Sequence, residues 1–178
     1  QPQNVLDKIQ RKAISVEKKK DHDLEKKFSQ AKVLERSGLY EEALLLFKEI
    51  NREHPGDPKY FLPVKNYLKQ IEEWDSLLVY TQLFSHARNH DFKSKLEYLD
   101  LYIWMNEDEK WQHLSRELVE DIKSDKNSIK NIIQRLANSG KQDFAYGLLQ
   151  QYRMQMNNRE FYSLEMGRFF GMRMAYEN

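Results

Sequence analysis

The sequence predicts an all-α chain assembled from antiparallel helical hairpins, and three observations carry this expectation. The segment Gly38-Leu39-Tyr40-Glu41-Glu42-Ala43, followed by Phe47, Ile50 and Pro55, reads as a turn, a helix with an apolar inner stripe, and a stop. Weaker copies recur about every 34 residues: Tyr40 has counterparts at Trp74, Trp111, Gln142 and Tyr176, in steps of 34, 37, 31 and 34. The 178 residues are 32% charged and 40% hydrophobic, and only 6 Gly and 4 Pro leave little room for long irregular loops. A period of this length belongs to helix pairs that bury a core only by stacking on their neighbours.

The elements follow in order. Between Asn4 and Lys20, the residues Val5, Leu6, Ile9 and Ala13 share one helical face, with Val16 near it and charges elsewhere. Residues 1–22 are therefore expected to form an amphipathic helix that caps the outer face of the first repeat, or else docks in the groove of its own chain or pairs with another copy. In the first repeat (24–57), Phe28, Ala31 and Leu34 line one face of a helix ending near Ser37. Gly38 then accepts the left-handed conformation that closes a helix. The second helix opens at Tyr40 with Glu41 and Glu42 in its first turn, where negative charge suits the helix dipole. Its stripe is Ala43, Phe47 and Ile50, and Pro55-Gly56 stops it.

The second repeat (58–94) keeps Phe61, Val64, Leu68, Trp74 and Leu77 but has Glu72 where the turn glycine stood. The third (95–125) keeps Tyr98, Leu101, Tyr102, Met105, Trp111, Leu114 and Leu118, and the fourth (126–159) keeps Gly140, Ala145 and Leu149. Tyr176-Glu177 matches Tyr40-Glu41, so an incomplete fifth repeat is expected over 160–178. A stack left half-way through a hairpin exposes an apolar face, which suggests a piece of a longer protein.

The first unit resembles the tetratricopeptide repeat. If Leu24 opens it, that family's small residue, large residue, Gly-x-Tyr, Ala, Phe and Pro fall at Ala31, Leu34, Gly38 and Tyr40, Ala43, Phe47 and Pro55. The family's tryptophan is replaced by Lys27. The resemblance covers about 24–178 and is specific in the first repeat. It implies a right-handed superhelical solenoid whose first helices line a concave, partner-binding face, with no cofactor. The positions it assigns to that face include Phe28, Lys32, Leu62, Asn66, Leu96, Leu99, Ile103 and Gln134, with Lys69 beside them. Phe28, Leu62, Leu96, Leu99 and Ile103 are expected to form an apolar strip for an extended or helical segment; a core contact is the other reading of Leu96, Leu99 and Ile103. Some family members clamp a C-terminal carboxylate with a lysine where this chain has Phe28 and Leu62, so the resemblance does not extend to that ligand.

Composition narrows the function classes. With 29 basic and 28 acidic residues, no global field favours nucleic acid. No apolar run approaches the roughly 20 residues of a membrane span. The absence of cysteine excludes disulfides and thiol chemistry. Gln1-Pro2-Gln3 is read as an N-terminus left by signal-peptide removal in an exported bacterial protein, with a cytoplasmic protein as the other reading.

Other constellations carry less. His86 and His90 lie one turn apart, as zinc ligands do, but a site needs a third ligand and no glutamate follows His86. Met154, Met156, Met166, Met172 and Met174, with Phe161, Tyr162, Phe169 and Phe170, make an apolar end suited to further repeats or to self-association. Carboxylate pairs such as Glu41-Glu42 and Asp108-Glu109 sit at helix starts, where dipole and solubility explain them. No nucleotide loop or nucleophile motif is present. The expectation is a non-enzymatic scaffold for a protein or peptide, or alternatively an architectural element of an envelope or secretion complex.

Overall fold

The computed structural model describes residues 2–122, 125–156 and 167. Eight helices follow one another, with no strand among the described residues: α1 (Pro2–Arg36), α2 (Tyr40–Glu53), α3 (Pro58–Gln70), α4 (Trp74–Ala87), α5 (Phe92–Trp104), α6 (Asp108–Asp121), α7 (Lys126–Asn138) and α8 (Gln142–Met156). They form two compact units, 1–90 with α1 to α4 and 91–178 with α5 to α8. In the first unit α1, α2, α3 and α4 pack in sequence; in the second α5 packs on α6, and α7 on both α6 and α8.

The helix starts correct the expected period. The second helices of the pairs begin at Tyr40, Trp74, Asp108 and Gln142, and α3, α5 and α7 begin at Pro58, Phe92 and Lys126. Every step is 34 residues, so the 37 and 31 steps disappear. Trp111 corresponds to Ala43, not to Tyr40. Ala43, Leu77, Trp111 and Ala145, each three residues into its helix, are all buried, as are Phe47, Thr81, Ser115 and Leu149 four residues later. Trp111 matched Tyr40 in the sequence because both are large rings, whereas burial equates Trp111 with an alanine. The repeat boundaries expected at 94/95 accordingly move to 91/92.

The same period governs the connections. Gly38, Glu72, Asn106 and Gly140 all have positive φ, of 79°, 57°, 56° and 76°. At each, the following amide reaches back five residues, from Leu39, Glu73, Glu107 and Lys141 to the carbonyls of Leu34, Leu68, Tyr102 and Leu136, at 2.9–3.0 Å. This is the hydrogen bond that closes a helix through a left-handed residue. Odd-numbered helices after the first are opened by an aspartate: Asp57, Asp91 and Asp125 accept from the amides of Lys59, Ser94, and Asn127 with Ser128. These caps satisfy donors that the first turn leaves unpaired.

The N-terminal segment departs from expectation. No break separates the amphipathic segment 1–22 from the first-repeat helix: α1 is one helix of 35 residues. Between Gln3 and Ser37 there is neither Gly nor Pro, and Lys, Glu, Ala and Leu are strong helix formers. Val5, Leu6, Ile9, Ala13 and Val16 remain exposed, so this segment covers no repeat. Packing begins at Leu24, which is buried with Ile50 and Tyr60.

In the second unit one core joins Leu96, Leu99 and Ile103 of α5, Trp111 and Leu118 of α6, Ile129, Ile132, Ile133 and Leu136 of α7, and Ala145, Leu149 and Tyr152 of α8. Met154 and Met156 fall in the last turns of α8, and the rest of the methionine-rich end and the fifth repeat, apart from Gly167, lie outside the described residues.

Two outcomes are expected. Leu99→Ala lowers unfolding free energy by about 2–5 kcal/mol, as for other large-to-small changes in a closed core, read by urea titration. Glu72→Gly raises stability by about 1 kcal/mol, because glycine meets no Cβ clash at positive φ, while Gly38→Ala lowers it; thermal melts of the two variants should move in opposite directions.

Candidate partner-binding groove

Phe28, Lys32, Leu62 and Asn66, assigned to a concave face by the sequence, do come together. With Glu35, Tyr40, Lys59, Pro63, Tyr67 and Gln70 they line a groove of about 310 Å3 on the first unit. Phe28 and Lys32 are one turn apart on α1, as are Leu62 and Asn66 on α3. Each pair therefore points the same way along its helix. Leu62 is 45% exposed. It offers apolar area that nothing within the unit covers.

Phe28 is the floor. Its ring meets Phe47 edge-on at 5.8 Å and Tyr60 at 5.3 Å between centroids. The Lys59 ammonium lies 5.1 Å from the Phe28 ring centre, and that of Lys32 lies 6.0 Å away and 5.3 Å from Phe47. Two cations thus lie within cation–π reach of the Phe28 ring. At the far end Tyr40 lies 6.3 Å from Tyr67.

Both lysines have carboxylates. Lys32 donates to Glu35 at 2.8 Å, and Lys59 donates to Glu25 at 2.5 Å. The Tyr60 hydroxyl donates to the same Glu25 oxygen at 2.9 Å. The Lys59 hydrogen bond, followed by that from Tyr60, holds the Glu25 carboxyl below the usual carboxylate range, and the Glu25 bond holds the Lys59 ammonium above the usual lysine range. Burial and then the Glu25 bond push the Tyr60 phenol up. Exposed ion pairs of this kind contribute little to stability, so an incoming acidic group can exchange with them at small cost.

The remaining assignments are corrected. Leu96, Leu99 and Ile103 are buried in the second-unit core, and Leu99 is 0% exposed, so they present no apolar strip to a partner. The true period explains Leu99, which corresponds to Ala31 and Ile133, the inward positions of α1 and α7, and not to Phe28; Leu96 does hold the position of Phe28 and Leu62 but is enclosed by its own unit's core. Lys69 on α3 is exposed but does not line the groove, and Gln134 is exposed on α7 of the other unit. Asp100, which shares the position of Lys32 and Asn66, pairs with Arg135. His86 and His90 place their rings 6.0 Å apart, and a His90 ring nitrogen is 2.9 Å from the Ser85 hydroxyl.

Compared with known proteins, the chain matches no family model and no curated sequence.

Sequence reading missed Tyr67 and Gln70 as lining residues. The signal available was Asp57: an Asp-Pro helix start puts Lys59, Leu62, Asn66 and Gln70 on one face of α3 at turn spacing. It also missed the strict period, which the aspartates at 57, 91 and 125 displayed.

The Glu25–Lys59 pair sets a pH window. Glu25 is acidified on folding, so its contribution is present above the unfolded carboxylate value and is lost as pH falls through the lowered folded value. Lys59 is made more basic, so its contribution is present below the unfolded lysine value and is lost as pH rises through the raised folded one. Glu25→Gln should therefore melt slightly below the parent at neutral pH. The gap should close in acid below the carboxylate range, in melts recorded at stepped pH.

Proposed function

We propose that the chain is a non-enzymatic, tetratricopeptide-type interaction scaffold, and that the α1–α3 groove receives a peptide carrying an apolar anchor beside an acidic group. The supporting observation is the groove itself, which exposed Leu62 lines together with the Phe28 ring, and the ammonium groups of Lys32 and Lys59 lie 6.0 and 5.1 Å from that ring's centre. The apolar anchor removes Leu62 from water, and the acidic group replaces Glu25 or Glu35 on a lysine. Asn66 and Gln70, at the rim, supply amide groups for the peptide backbone, which is how extended segments gain register. The tetratricopeptide assignment, and with it right-handed stacking of the hairpins, rests on the first-repeat motif and on the 34-residue spacing of turns and aspartate caps.

The test is selection from a random displayed peptide library with the whole chain as bait. Enriched peptides should combine an aliphatic or aromatic residue with Asp or Glu. Leu62→Glu should weaken them about tenfold or more, as loss of a central anchor does. Leu45→Glu, at a 68% exposed position on α2 outside the groove, should leave them unchanged. Selected peptides without acidic residues, or equal binding to both variants, would discard the reading.

A further inference from the structure

A second surface lies on the first unit, at the opposite end of α1. Ile9, Ala13 and Val16, with Lys12, Glu17, Lys20 and Asp21, face an open hollow of about 690 Å3 whose remaining wall is His54, the residue that ends α2. Val5, Leu6, Ile9 and Val16 are each at least 50% exposed. The spacing of Leu6, Ile9, Ala13 and Val16 is the three-and-four alternation of a helix-pairing seam.

We propose that this seam receives an amphipathic helix of a protein partner, antiparallel to α1, in line with α2, and acidic along one edge. Shape and charge select this occupant. Lys27 falls on the same face, seven residues after Lys20, and bonds Glu49 and Glu53 of α2 at 2.6 and 3.1 Å. The seam therefore continues the face on which α2 packs. Helices pack with axes about 8–10 Å apart, and Val16 is only about 8 Å along the helix from Asp21. A flat bilayer meets the end of α2 before it reaches Val16. A cylinder antiparallel to α1 fits the step, because it takes the line that α2 has just left.

Charge removes the second copy of this chain. The first twenty residues hold six basic side chains (Lys8, Arg11, Lys12, Lys18, Lys19, Lys20) against two acidic ones (Asp7, Glu17), a net +4 where the whole chain has +1. Lys8, Lys12 and Lys19 run along one edge of the seam, at four- and seven-residue spacing. An antiparallel second copy would match the apolar residues, whose spacing reads alike in both directions, but would set Lys12 of one copy against Lys12 of the other. A parallel copy would pair Lys12 with Glu17 but would have to pass through α2. A partner with glutamates or aspartates along that edge meets neither obstacle.

The helix is ready to bind. An isolated segment of this length is marginal in water, but here it continues a helix that already packs from Leu24 onward, so no nucleation cost remains. This surface does not depend on the α1–α3 groove, and Leu62→Glu should leave it untouched.

The experiment uses the full chain and two synthetic peptides about 16 residues long. They share a Leu6/Ile9/Ala13/Val16-like apolar spacing and differ in carrying Glu or Lys along one edge. Fluorescence anisotropy should show binding of the Glu-edged peptide only. Ile9→Asp should weaken it about tenfold or more with an unchanged far-ultraviolet dichroism spectrum, and the double variant Lys8→Glu/Lys12→Glu should transfer the preference to the Lys-edged peptide. Equal affinity for the two peptides, or no binding of either at about 100 μM, which is well above the micromolar range of weak recognition helices, would overturn the proposal. Three alternative outcomes overturn it equally: co-sedimentation with phosphatidylserine vesicles, a dimer in sedimentation velocity that Ile9→Asp abolishes, or binding that ignores the charge reversal.

Discussion

One backbone conformation recurs and the rest of the structure depends on it. At 38, 72, 106 and 140 a residue in the left-handed region ends a helix and lets the chain reverse within three residues. The reversal is sharp because the amide after the turn bonds a carbonyl five residues back, which keeps the helix closed to its last turn. The next helix is thereby laid antiparallel against the one just finished. Where the residue is Glu72 or Asn106, the chain accepts backbone strain for this geometry. Tertiary packing on both sides of the turn, with Leu77 or Trp111 buried three residues into the following helix, outweighs it.

From that reversal the two kinds of position follow. Residues at one depth in every second helix turn inward regardless of size: Ala43, Leu77, Trp111 and Ala145 occupy equivalent places. The wide range of volumes means that each unit packs differently around a common backbone, with Phe144 set edge-on to Trp111 at 4.8 Å in the second unit. Residues on the other face of the first helices are released from packing only in some units. Leu62 stands out to solvent, whereas Leu96 is enclosed by its own core. The groove exists on the first unit because no other helix of that unit covers Leu62, and Lys32 and Lys59 lie close to the Phe28 ring.

α1 links two surfaces of different character. Its C-terminal half is held by Leu24 and Ala31 and contributes Phe28 and Lys32 to the groove. Its N-terminal half carries a seam with a basic edge and no cover within the unit. The all-helical architecture was legible because turn glycines and apolar stripes are local signals, and Gly38, Tyr40, Ala43 and Phe47 showed them together. The period was legible only approximately. Identity of side chain suggested equating Trp111 with Tyr40, while equivalent depth of burial, which has no local signature, equates it with Ala43. The three-residue error carried Leu99 and Ile103 onto a binding face.

By itself the sequence determined that the chain is helical and that Phe28 with Lys32, and Leu62 with Asn66, share a helix face, because helical periodicity sets which side chains point the same way; that the two faces meet in one groove was what the resemblance of the first repeat implied. Only the tertiary structure decided which apolar faces were covered. Leu99 and Leu62 are alike as letters, and both lie on first helices. Leu99 is sealed in a core with α6, α7 and α8, and Leu62 is left in water, because burial is a property of what lies opposite a residue and not of the residue. The same reason separates the two halves of α1, which continues without a break past the point where its neighbours end.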